Sequence, residues 1–147
     1  MGGATNFKRH LEFFGPYGLG VTLAGLVDEG EARYFQRALE TAGFGAALAR
    51  NDLERLGFFV CVRDLEDELI RAIGPPAVQR LLEREGDLHS FRLFAHMPAQ
   101  RERTDQARLR RFMGTRGGRK HKYAELLVNE LDLARVPQPL AGLLAHI

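Results

Sequence analysis

Two apolar runs in this chain each end in carboxylates, and that pairing limits the fold more than any other feature. The first reads Gly20-Val-Thr-Leu-Ala-Gly-Leu-Val-Asp28-Glu29-Gly30-Glu31; the second reads Gly57-Phe-Phe-Val-Cys-Val-Arg-Asp64-Leu-Glu66-Asp67-Glu68. A short run that is apolar almost throughout is a strand covered on both faces, the hallmark of a parallel α/β sheet. In such sheets ligands bind beyond the carboxyl ends of the strands. Two acid clusters delivered to one edge repel each other unless cations lie between them. Mg²⁺ or Mn²⁺ suits that donor set, and cleavage or transfer of a phosphodiester is the chemistry such a site serves.

The charge is unevenly distributed. Over the 147 residues the formal net charge is only +2. Residues 26–68, however, hold ten acids against five arginines, whereas residues 99–122 hold nine bases against Glu102 and Asp105. An acidic centre followed by a basic arm fits metal at the first and a polyanion on the second. A solvated helix face explains the basic run equally well. One cysteine, Cys61, excludes an intrachain disulfide and a cysteine-rich zinc site, and its apolar neighbours make it a buried small side chain. The five histidines never stand three or four apart, so no local zinc pair exists. No apolar stretch is long enough to span a bilayer and no leader pattern is visible, so the expectation is a cytoplasmic protein with no membrane partner.

Periodicity predicts helices over about 6–14, 31–42, 51–56, 65–73, 77–85, 101–113 and 121–131, with a last short helix after Val136-Pro-Gln-Pro139. Strands are predicted over 21–27 and 58–62, with a third stub at 1–4. Residues 90–98 read equally as loop or short helix, and 114–118 as a glycine-rich loop. Two strands make too small a parallel sheet to cover its own edges. The chain either pairs with a second copy as a homodimer or lacks a strand–helix unit that should come first. The expected organisation is an α/β core over 1–75 and a helical extension over 76–147, packed as one domain.

Each candidate site residue has a second explanation. Asp28, Glu29, Glu31, Asp64 and Glu66 are metal-ligand candidates, but acids also stabilise helix first turns. Asp67 and Glu68 read as helix surface. Gly114-Thr-Arg116-Gly-Gly-Arg119-Lys120 is not a P-loop, although backbone N–H groups at a helix start with Arg119 and Lys120 would grip a phosphate. Arg110 and Arg111 extend that surface. A phosphohydrolase using Asp28 as nucleophile is a further alternative.

The acidic motifs, together with Gly-Gly-Arg119-Lys120 opening a helix and Arg-Val-Pro-Gln-Pro-Leu near the end, resemble the TOPRIM (topoisomerase–primase) domain. The subtype is that of OLD-family ATP-dependent endonucleases, and the likeness covers roughly residues 1–145. The resemblance implies a Rossmann-like parallel sheet flanked by helices and a two-metal nuclease; the expected partner is nucleic acid, DNA ahead of RNA. It implies metal binding by Asp28, Asp64 and Glu66, with Glu29 or Glu31 standing in where Gly30 occupies the family's second aspartate, and Lys120 as the active-site lysine. The family's opening strand and glutamate have no counterpart before Met1, and no ATPase motif is present. A non-catalytic module that binds nucleic acid or a partner protein is therefore the alternative.

Overall fold

Strands β1 (Gly25–Asp28) and β2 (Phe58–Cys61) pair in parallel in the computed structural model, which describes residues 5–115 and 117–147. In chain order the helices are α1 (Thr5–Phe14), α2 (Ala32–Thr41), α3 (Arg50–Arg55), α4 (Leu65–Ile73), α5 (Pro75–Arg84), α6 (Leu88–His96), α7 (Asp105–Gly114), α8 (Gly117–Glu130) and α9 (Gln138–His146). The class is α/β, mostly helical, with a two-stranded parallel sheet. Contacts divide the chain into a sheet unit, residues 1–65 with 138–147, and a helical unit, residues 66–137. Gly74-Pro75-Pro76, at the expected 75/76 boundary, links α4 to α5 within the helical unit. The expected stub at 1–4 lies outside the described residues.

In the sheet unit the register pairs Gly25 with Phe58, Val27 with Val60 and Asp28 with Cys61. Alternation along a strand sends Val27, Phe58 and Val60 to one face, where they join Leu11, Phe35, Ala38 and Leu39 in a buried core. The Phe7 ring of α1 stacks on Phe35 at 3.8 Å and meets Phe58 edge-on at 5.5 Å. Phe59, on the opposite face, receives α9. A Cβ at Gly142 would fall 2.5 Å from the Phe59 ring, so that helix docks only because position 142 has no side chain. The outer edge of β2 is capped by Arg50, whose Nη2 donates to the Val60 carbonyl at 3.1 Å.

The first strand is shorter than predicted. Residues 21–24 do not join the ladder: Val21 N–H donates to the Phe14 carbonyl at 2.8 Å, tying this segment back to α1. Pairing starts where Gly25 N–H meets the Gly57 carbonyl at 2.9 Å.

The helical unit buries Leu69, Ile70, Val78, Leu81, Leu82, Phe91, Leu109, Phe112, Met113, Tyr123 and Leu127. Helix α5 packs on α6 and α7, and α7 packs on α8. Gly86, at φ +74°, closes α5 in the left-handed conformation that glycine adopts without penalty. The ambiguous stretch at 90–98 is helical for most of its length, as α6. Residues 101–104, predicted as helix, instead follow a 3₁₀ turn at Pro98–Gln100, and Thr104 caps α7 by accepting from Ala107 N–H at 3.3 Å. The expected glycine-rich loop is largely helix, since α7 runs through Gly114 and α8 starts at Gly117.

Candidate functional site

In the sheet unit the two strand exits are joined by one reciprocal contact. Glu29 N–H donates to the Arg63 carbonyl at 3.1 Å, and Glu29 Oε2 accepts from Arg63 N–H at 3.2 Å. Asp28 is the residue before this clamp and Asp64 the residue after it. Asp28 ends β1 exposed, in register with buried Cys61; Asp64 is buried, at 9% exposure. Arg63 holds φ +67°, a left-handed conformation that costs a branched-chain-free but non-glycine residue about 1 kcal/mol. It lets Asp64 N–H turn back onto the Val62 carbonyl at 3.1 Å. Glu31 closes the short 3₁₀ turn after β1 and is half-buried. Among the described residues, no group of three or more His, Cys, Asp and Glu side chains gathers within metal-binding reach.

In the helical unit Glu66 and Lys120 are brought together. Glu66 lies in the first turn of α4 and Lys120 in the first turn of α8, with Nζ 3.1 Å from Glu66 Oε1. The carboxylate is largely covered, at 17% exposure, whereas the lysine side chain is 58% exposed. Asp67 and Glu68, expected on the helix surface, are buried instead. Asp67 Oδ2 accepts from Arg71 Nη2 at 2.8 Å and from Gln106 Nε2 at 2.9 Å; Glu68 Oε2 accepts from Arg71 Nη1 at 3.1 Å. The spacing was the available signal, since Arg71 stands four and three residues on, where one helical face brings charges together.

The basic arm divides into two sets of side chains. Arg103 Nε donates to the Ala99 carbonyl at 3.2 Å; Arg108 donates through Nε to Gln100 at 3.0 Å and through Nη2 to Arg101 at 2.6 Å. These guanidinium groups fasten the turn at 98–101. Arg111 is exposed and Arg110 half-buried. Arg116 lies outside the described residues. Arg119, expected on a phosphate, is 13% exposed: its Nη2 is 3.2 Å from Asp87 Oδ1 and its guanidinium carbon is 4.1 Å from the Phe112 ring centre.

Asp87 is the residue that sequence reasoning missed. Its Oδ2 accepts from the hydroxyl of fully buried Tyr123 at 2.6 Å. That bond, with the nearby Arg119 and Lys122 charges, holds the Asp87 carboxyl below its ordinary value. Burial, reinforced by the same bond, pushes the Tyr123 phenol well above its ordinary value. The two residues are 36 positions apart, and no local pattern links them.

Comparison with family models, curated proteins and solved structures gives no match. No helix among the described residues is long and apolar enough to cross a membrane.

Proposed function

We propose that the chain is a divalent-metal-dependent nucleic-acid phosphodiesterase of TOPRIM type, with DNA the expected substrate ahead of RNA. The observation that supports this reading is the Glu29–Arg63 clamp, which sets the two strand exits side by side with Asp28 and Asp64 immediately flanking it. Carboxylate oxygens are the donors that Mg²⁺ and Mn²⁺ prefer. In this proposal Asp28, Glu31, Asp64 and Glu66 are the metal ligands. Lys120 faces the phosphate, with Arg110, Arg111, Arg116 and Arg119 as the basic surface, Arg119 acting through its bond to Asp87. Bound metal would supply Lewis-acid polarisation of the phosphoryl oxygens and a nucleophilic water. The test is nicking of supercoiled plasmid with Mn²⁺ or Mg²⁺. Wild type should cut, while Asp28→Asn, an exposed and nearly isosteric change, and Asp64→Ala should fall to background. Equal cutting by wild type and Asp28→Asn, or no cutting by wild type with either metal, overturns the proposal.

The Lys120–Glu66 ion pair supports a second reading, a non-catalytic module that binds nucleic acid or a partner protein. In it the glutamate already has a cationic partner and the lysine contributes charge only. DNA binding that weakens with salt, without cleavage, and with a smaller salt slope in Arg110→Ala and Arg111→Ala, favours it.

A further inference from the structure

We propose that Asp87 is a positioning residue for Lys120: it fixes the first turn of α8 so that the lysine ammonium stays on Glu66. Its functional consequence rests on the phosphodiesterase reading; its structural content does not.

Asp87 is itself immobilised from both sides. Its N–H donates to the Leu82 carbonyl at 2.8 Å, across the turn that Gly86 makes after α5. Its own carbonyl accepts from Phe91 N–H at 2.9 Å as α6 begins. The carboxylate therefore projects from a backbone anchored in two helices, and it uses both oxygens on α8. Oδ1 holds Arg119 at 3.2 Å and Oδ2 holds Tyr123 at 2.6 Å.

Residues 119 and 123 are one helical turn apart and share a face. Gripping both fixes the rotation of α8 about its axis as well as its position. Phe112 under the Arg119 guanidinium and Glu85 on Lys122 at 2.7 Å act in the same sense. Lys120 is the next residue round the helix from Arg119. Its four-carbon stem is flexible and its side chain mostly exposed, so the reach of its ammonium follows the way α8 is turned. With the rotation of α8 set, the stem projects toward the start of α4, where Glu66 Oε1 lies 3.1 Å from Nζ. The buried Tyr123 phenol requires an acceptor, and the charged carboxylate supplies one that also attracts Arg119.

The chain has three lysines, Lys8, Lys120 and Lys122. Labelling the full chain with ¹³Cε-lysine gives three resolvable side-chain signals by NMR, and Lys120→Arg assigns the one that matters. Glu66→Gln provides the reference displacement of the Lys120 signal when its partner loses charge. Asp87→Asn should move the Lys120 signal most of the way to that reference, Tyr123→Phe should move it part of the way, and Lys8 should stay put in both. A Lys120 signal unmoved in a folded Asp87→Asn protein, judged by circular dichroism, overturns the proposal. If Asp87→Asn does not fold, Tyr123→Phe decides. If neither folds, Asp87 is a stability residue and the proposal is likewise overturned. Plasmid nicking run in parallel separates the two claims: a wild type that does not cut sinks the phosphodiesterase reading while leaving the NMR result to judge Asp87.

Discussion

The sheet unit and the helical unit are held together by different physics. The sheet unit relies on shape: aromatic rings stacked across Phe7, Phe35 and Phe58, and a helix that approaches Phe59 through a residue with no side chain. The helical unit has an apolar core as well, but charged side chains stitch it. Asp87 holds Arg119 and Tyr123, Glu85 holds Lys122, Arg84 holds Glu130, and Asp67 with Glu68 holds Arg71. Apolar packing is blind to pH and only weakly responsive to ordinary salt, whereas ion pairs answer to both. The unit carrying the basic arm is thus also the one whose stability should follow solution conditions.

The sharpest test of the packing side is Leu39→Ala. Leu39 is fully buried in the sheet-unit core, and truncation there should cost about 2–5 kcal/mol in urea unfolding. The cost should be the same at low salt and at about 1 M salt, beyond the range of screened Coulomb effects. Gly142→Ala comes next. Its methyl group would meet the Phe59 ring at 2.5 Å, and because the ring is itself buried, relief requires α9 to shift. We expect a loss of about 1–3 kcal/mol, again independent of pH. A pH-dependent loss at either position would erase the contrast between the units.

Much of this division is legible in the sequence and the rest is not, for identifiable reasons. Phe7, Leu11 and Phe14 fall at helical spacing and do form one helix; the apolar run at 58–61 is a strand buried on both faces. Val21 to Ala24 look like strand too, but a strand needs a partner, and Val21 N–H donates to the Phe14 carbonyl of α1 instead. The acid pattern correctly marks the strand exits. It misassigns Asp67 and Glu68, because acids at a helix start are normally solvated and only the tertiary fold shows that these are covered. Arginines 103 and 108 look like a polyanion arm from composition alone, whereas their guanidinium groups bind backbone carbonyls of a turn that no periodicity announces. Asp87 and Tyr123 are invisible for the same reason: long-range polar pairs leave no local imprint.

Asp87→Asn tests the charged side of the comparison. The folded Asp87 carboxyl is depressed, chiefly by the Tyr123 hydrogen bond, so its stabilisation is present above the unfolded value of about 4 and is lost as pH falls through the still lower folded value. Asp87→Asn should cost about 1–2 kcal/mol at pH 7, and the gap to wild type should close in acid. Tyr123 works in the opposite sense. Its raised value means that its contribution is complete below about pH 10 and disappears as pH climbs toward the folded value. Tyr123→Phe should therefore flatten the alkaline limb of the stability profile.

The smallest expected effect is at the rim. Arg84 and Glu130 pair at the surface, with their side chains 58% and 37% exposed. Exposed ion pairs gain little because water already solvates both charges and the long side chains lose freedom on pairing. Glu130→Gln should therefore cost about 0.5 kcal/mol or less, and even that should vanish in about 1 M salt. The Asp87 cluster, half-buried at the carboxylate and fully buried at Tyr123, should retain more of its contribution in the same salt, since screening ions do not enter where Tyr123 is covered. Urea midpoints for the two variants across a salt series check the distinction. If Glu130→Gln proved as costly as Asp87→Asn, the stitching would be spread evenly over the helical unit and not concentrated where α8 begins.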